Sequence, residues 1–249
     1  MTTTGVRILQ FALPESRSTA DAHSLRFNTW DMIGMDREVH SYTHKLFLTA
    51  GTIYVVCFNM KEAALQTDQR ALARVDFWLD SISSVLRGET DYSILVVGTH
   101  SEDKNVSKRF VEEVVARLSK KSTVVPALKH IMMVSNMTSR GIEDLRRKIA
   151  QASRQLSHID ASVPATFSVF EDQIRAYRSI AQESTLSLKE LQTMAANCSI
   201  AVEDFDRVLE YTHNTGALQW FRQRSSAGEE EDDTNHANQA LAELSHFTV

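Results

Sequence analysis

Glycine is scarce, with eight in 249 residues, and none of the eight is followed by lysine. Within these residues that excludes a Walker-type phosphate loop, whose closing Gly-Lys-Ser/Thr supplies the amides and the ammonium that cradle phosphates. No G-x-G pair occurs either, which excludes a Rossmann dinucleotide fingerprint. Only two cysteines are present, Cys57 and Cys198. They lie too far apart in sequence for a metal or redox spacing and read as buried thiols of a reducing compartment. No apolar run approaches the roughly 18 residues of a membrane span, and no basic stretch precedes an apolar leader. The expectation is a cytoplasmic protein without a membrane span. Cationic excess is missing too: the formal charge is −5, and the run Glu229-Glu230-Glu231-Asp232-Asp233 accounts for all of it. A neutral body with an acidic tail offers phosphates no basic face, so no nucleic-acid partner is expected.

What is present is enough apolar material, 43% of the chain, to bury a core. Short β-rich runs occur at Val6–Ala12, Leu25–Trp30, Thr52–Phe58, Tyr92–Val97 and His130–Val134. The last three are apolar throughout, as in strands covered on both faces of a parallel sheet. Helical spacing links them: Val75 to Leu86, Val106 to Leu118, and Ile142 to Leu156. Strand and helix in alternation predict a doubly wound α/β layer over residues 1–158. From Pro164 onward helices dominate, at Thr166–Ile180, Leu188–Ala196 and Val202–His213, followed by a turn and a short strand at Ala217–Phe221. Three helices and a β element suggest a winged-helix-like subdomain over 163–222. Residues 225–249 are polar and acidic and read as a disordered tail.

Motifs sit at the strand ends. Phe27 to Gly34 is an apolar strand closing in Asp31-x-x-Gly34. In nucleotide switches such an aspartate holds magnesium and the glycine amide reaches the terminal phosphate. A later strand ends in Val97-Gly98-Thr99-His100-Ser101-Glu102-Asp103, the next in Val134-Ser135-Asn136-Met137, and Thr3 precedes the first. His40 and His44, one helical turn apart, lack a third metal ligand and read as a surface helix. No G-x-S-x-G elbow occurs, and no residue is assigned a catalytic role.

The ordered set resembles the Roc–COR tandem of Roco proteins, the GTPase family that includes leucine-rich-repeat kinases and death-associated kinases. The resemblance runs from about Thr3 to Phe221. It rests on Trp30-Asp31-x-x-Gly34, Leu46-Phe47-Leu48, Thr99-His100, Val163-Pro164, and Leu209-Glu210-Tyr211-Thr212-His213-Asn214-Thr215-Gly216-Ala217-Leu218. It implies a P-loop-GTPase-like (Ras-like) sheet with helices on both faces, here without the first strand, phosphate loop and first helix, then part of a COR domain. By resemblance, Thr3 and Asp31 are the magnesium residues. Gly34, Thr99, His100, Glu102, Asp103, Ser135 and Asn136 are the nucleotide-binding residues. GTP or GDP with magnesium is implied for an intact parent, and none is assigned to this chain alone.

The departures bear on activity. Glu102 stands where the family reads guanine with Asp, and Asp103 comes one residue late. Met35 stands where efficient relatives carry a glutamine that positions water, and a thioether is only a weak acceptor. Hydrolysis by this chain alone is therefore not expected. The absent strand would lie between those at Leu25–Trp30 and Thr52–Phe58, leaving open edges on both. The alternative reading is a non-enzymatic scaffold, a pseudo-GTPase acting through protein partners or a homodimer on its Roc and COR surfaces. A nucleic-acid role for the last helix is disfavoured, because Glu203, Asp204, Asp206 and Glu210 outnumber Arg207.

Overall fold

The computed structural model describes residues 6–13, 25–32, 45–65, 70–122, 124–159, 162–180, 185–218, 220 and 247–248. Its contacts divide the chain into two units, residues 1–161 and 162–249.

In the first unit, β1 (Val6–Leu13) and β2 (Leu25–Met32) form an antiparallel hairpin, in register from Val6 opposite Met32 to Leu13 opposite Leu25. Phe11 and Phe27 face each other across it and stack at 5.0 Å between centroids. A 3-10 turn at Lys45–Phe47 leads into β3 (Thr52–Asn59), the short helix α1 (Met60–Ala64) and helix α2 (Arg70–Val85). Then follow β4 (Tyr92–Thr99), α3 (Lys108–Lys121), β5 (Leu128–Met133) and α4 (Ile142–Ser153). Strands β3, β4 and β5 pair in parallel in that order, while the β1–β2 hairpin is a separate two-stranded sheet.

Burial follows the sequence pattern closely in the centre. Ile94, Leu95 and Val96 of β4 are fully buried, because this strand has a neighbour on each edge and is covered on both faces. The apolar stripe of α2 (Ala71, Val75, Leu79, Ile82) packs in one core cluster with Val56 and Phe58 of β3 and Val114 and Leu118 of α3. Strand β3 differs: Val56 and Phe58 are buried, but Val55 and Cys57 on its other face are exposed. The expectation of two buried thiols thus holds for Cys198 and fails for Cys57, which lies on the uncovered face of β3. The turn before β3 is held by Tyr54, whose hydroxyl donates to the Thr49 carbonyl (2.6 Å) and accepts from the Thr49 amide (2.7 Å).

The second unit contains α5 (Ala165–Ile180), β6 (Thr185–Leu186), α6 (Leu188–Asn197) and α7 (Phe205–Asn214), with a 3-10 turn at Val202–Asp204. Its core is Phe170, Ile174, Leu186, Leu191, Val208, Leu209 and Leu218. Helix α6 opens with a capping box in which Ser187 and Glu190 satisfy each other's backbone amides. Of the acidic tail only Phe247–Thr248 are described, and this pair, β7, bonds antiparallel to β6. The helix expected over Val202–His213 begins as 3-10 and becomes α-helical at Phe205. The strand expected at Ala217–Phe221 is absent among the described residues of that stretch.

Candidate nucleotide site

The carboxyl ends of parallel strands are where loops converge in an open α/β sheet. Here β4 and β5 end side by side. The Val134 amide donates to the Gly98 carbonyl (2.8 Å), and the Ser101 amide donates to the Val134 carbonyl (3.2 Å), so the two loops leave the sheet tied together. Gly98 is required for packing. A Cβ there would lie 2.6 Å from the Met133 sulfur and 2.7 Å from Met60, a fully buried side chain. Gly141 closes the second loop at φ +78°, and a Cβ would stand 2.5 Å from the Met133 carbonyl oxygen. A residue with a side chain fits neither requirement.

On this base the side chains are arranged by short bonds. The Thr99 hydroxyl donates to the Phe58 carbonyl at the end of β3 (3.2 Å) and lies 3.1 Å from His100 Nδ1. His100 takes a left-handed backbone conformation, φ +57°, uncommon outside glycine. Ser135 is fully buried; its amide donates to the Arg140 carbonyl (3.0 Å) and its hydroxyl accepts from the Thr138 amide (3.1 Å). The same hydroxyl bonds the exposed Glu102 carboxylate, and that bond, above all, holds Glu102 below the ordinary carboxylate range, with a weaker pull from His100. Glu102 is therefore an ionised acceptor at the loop surface, suited to a planar group offering paired N–H donors. The Ser101 hydroxyl oxygen is buried here without a hydrogen-bond partner among the described residues.

Asp103 is committed elsewhere. Its Oδ1 accepts from the Asn105 amide and from Asn105 Nδ2, both at 2.9 Å, and Lys61 Nζ of α1 stands 3.6 Å from Oδ2. The Asn105 amide bond is the main cause of its depressed pKa. This carboxylate shapes the turn into α3, where Ser107 caps the helix by accepting from the Phe110 amide (3.1 Å).

The fold thus gathers Thr99, His100, Glu102, Asp103 and Ser135 at one end of β4 and β5, with Asn136 exposed beside them. Asp31 lies apart, exposed near the end of β2, within electrostatic reach of Cys57 on β3. Thr3, Gly34, Met35, His40 and His44 lie outside the described residues. Lys61, Asn105 and Thr138 complete the loops and were not anticipated. Asn105 alone carried a usable signal, since Asp-x-Asn is a common local turn. Among the described residues no cluster of three or more His, Cys, Asp or Glu is placed to hold a metal, and no helix is long and apolar enough to cross a membrane.

No protein-family model matches the chain. Sequence relatives do. The probable serine/threonine-protein kinase pats1 of Dictyostelium discoideum is 28% identical over 199 residues, covering 79% of this chain and 6% of pats1. The probable serine/threonine-protein kinase roco5 of the same organism is 23% identical over 197 residues, covering 78% of this chain and 7% of roco5. The chain therefore spans less than a tenth of these relatives. Among solved structures, Methanosarcina barkeri Roco2 RocCORdC bound to GDP superposes with a TM-score of 0.65 at 15% identity, covering 89% of this chain and 60% of that one. That likeness carries the fold alone, an α/β layer with a parallel three-stranded sheet flanked by helices. In sequence the chain is similar to these Roco-type kinases, and in fold to the Roco2 RocCORdC structure.

Proposed function

We propose that this chain is a Roco-type, GTPase-like signalling module that keeps a guanine-reading loop pair and, taken alone, grips nucleotide weakly or not at all. The observation that carries the reading is the joining of the β4 and β5 loop ends, Val134 amide to Gly98 carbonyl and Ser101 amide to Val134 carbonyl, with buried Ser135 acting on the exposed Glu102 carboxylate. A carboxylate fixed in this way accepts two N–H groups from one planar edge, and guanine presents such an edge where adenine does not. In this reading Thr99, His100 and Ser135 shape the loops, Asn136 lies beside the base, and Asp103 supports them by fixing the turn. Gly34 would meet the terminal phosphate, with Thr3 and Asp31 toward magnesium. GTP or GDP with magnesium belongs to a longer parent carrying a phosphate loop, since these 249 residues contain no Gly-Lys. The domain reading proposed is a Roc-like domain over 1–158, a winged-helix-like first COR subdomain over 163–222 and an acidic tail over 225–249.

Backbone amide shifts on adding guanosine or adenosine at millimolar concentration test the loop pair. The expected outcome is selective perturbation of Thr99 to Glu102 and Ser135 by guanosine, lost in Glu102→Ala. Equal shifts with adenosine would contradict the assignment. A scaffold role, with protein partners or a second copy on the Roc and COR surfaces, is the second reading, favoured by the divided sheet. Light scattering and pulldown check it, and a strictly monomeric chain without partners would count against it.

A further inference from the structure

At the other end of the sheet, where β3 and β4 begin, one residue gathers the chain. The Ser157 hydroxyl donates to Asp91 Oδ2 (2.7 Å) and the Ser157 amide donates to Asp91 Oδ1 (3.0 Å), joining positions 66 residues apart in sequence. The Asp91 carbonyl accepts from the Gly51 amide (2.6 Å), just ahead of β3. Ser157 is exposed, lies in the turn beyond α4, and comes shortly before the boundary between the two units at 161 and 162. Leu156 beside it is buried and seats the end of α4. Beyond Leu156, Ser157 holds the lead into the second unit to the start of β4.

The local sequence adds a second observation. Arg154-Gln155-Leu156-Ser157 puts an arginine three residues before this serine, and no acid occurs from Gln151 to Ile159. That is the charge pattern a kinase with an acidic substrate groove selects. Among the described residues Thr29 and Thr90 share the spacing. Thr29 is part-buried and paired opposite Leu9 in the hairpin, and Thr90 directly follows Glu89, which an acidic groove would repel.

We propose that Ser157 is a phosphorylation site for a basophilic serine/threonine kinase, and that the phosphoryl group opens the Asp91–Ser157 latch. In the transfer the Ser157 Oγ attacks the γ-phosphorus of a nucleoside triphosphate. The Oγ–P bond forms as the bond to the β-phosphate oxygen breaks, the nucleoside diphosphate leaves, and the hydroxyl proton passes to the kinase's base. The product has lost the O–H that donated to Asp91 and sets about −1.5 to −2 charges beside that carboxylate. Repulsion drives the phosphate away from Asp91, and the exposed Arg154 offers it a guanidinium fork three residues back. The lead into the second unit is lengthened, while buried Leu156 keeps α4 in place. The inference lies at the opposite end of the strands from the candidate nucleotide site and does not depend on that reading.

The test treats the native full chain with the catalytic domain of a calmodulin-dependent kinase and magnesium ATP. Peptide mapping by mass spectrometry separates Ser157 from Ser225, which has Arg222 at the same spacing and lies outside the described residues. The expected result is phosphate at Ser157, absent in Ser157→Ala and acquired about tenfold more slowly in Arg154→Ala. Phosphorylation should then speed amide exchange at Ser157 about tenfold, as should Asp91→Ala without kinase, with Gly51 and residues 94–97 unchanged. The proposal is overturned if Ser157 takes phosphate only after denaturation or not at all, or if Arg154→Ala is modified equally fast. It is likewise overturned if exchange at Ser157 is unchanged by the phosphate or by Asp91→Ala.

Discussion

On the β4–β5 side of the first unit the strand ends are tied to each other, glycine by carbonyl and serine by carboxylate. On the β2–β3 side the sheet is divided and apolar residues reach the surface. The residues compared have similar apolarity, since Val55 and Cys57 sit in register with Leu95 and Val97. What separates them is the presence or absence of a covering neighbour. Strand sequence alone therefore sets the propensity to pair, while burial depends on the layers that come to lie on each face. In functional terms, the end that would read a base is organised by the chain's own bonds.

The contrast is broken most directly by large-to-small changes in paired strands. Ile94→Ala in β4, fully buried, should cost about 2–5 kcal/mol, whereas Val55→Ala in β3 should stay within about 0.5 kcal/mol, as for a surface change. Urea unfolding measures both, and equal costs would remove the distinction between the two strands. Next in size is Gly98→Ala, which drives a Cβ against Met60 and Met133 at the strand end and should cost about 1–3 kcal/mol. Ser135→Ala deletes the acceptor of the Thr138 amide and the donor to Glu102, a loss of about 1–2 kcal/mol. In that variant the Glu102 carboxyl should titrate closer to its ordinary 4.5, which carbon-detected NMR follows.

Two smaller effects sharpen the same comparison. Cys57 reaches the surface, yet desolvation by its apolar surroundings, aided by Asp31, pushes its thiol above the ordinary 9.0. Its alkylation should therefore reach half-maximal rate above pH 9.0, and Asp31→Asn should move that midpoint down. Acidification acts on the other side. The folded chain holds Glu102 and Asp103 below their ordinary values of 4.5 and 3.8, so it binds fewer protons than the unfolded chain in that range. Their contribution is fully present above about pH 4.5 and is lost as pH falls through the folded values. Amide exchange at Ser101 and Ser135 should accelerate in that window, less so in Glu102→Gln. Glu102 is exposed and screened by water, so the effect should be the smallest of the set.

Much of this arrangement is legible in the residues. The three apolar runs of the parallel sheet, the helices between them and the change to a helical second half follow from periodicity, because buried strands and amphipathic helices have distinct repeats. The first turn of α2 and the helix α1 were not legible. Arg70 and Arg74 interrupt the apolar pattern, and α1 is a single turn fixed by Asn59, whose side chain accepts from the Lys61 and Glu62 amides. The strand expected at Ala217–Phe221 fails for a specific reason: the Ala217 and Leu218 amides both bond back to the Thr212 carbonyl (2.9 and 3.1 Å), consuming donors a strand would need. Cys57 was expected to be buried because apolarity says what a residue prefers, not whether a partner layer is present. At the candidate site, spacing named Glu102 and Asp103 together. Only the fold separates the carboxylate that Ser135 presents from the one Asn105 and Lys61 retain.

The most direct test titrates a fluorescent guanine nucleotide onto the full chain with and without magnesium. The expected result is no saturation in the micromolar range, with any binding at about 1 mM or weaker, about −4 kcal/mol, and indifferent to magnesium. Submicromolar, magnesium-dependent binding would contradict the claim that this chain keeps a guanine-reading loop pair without a phosphate grip.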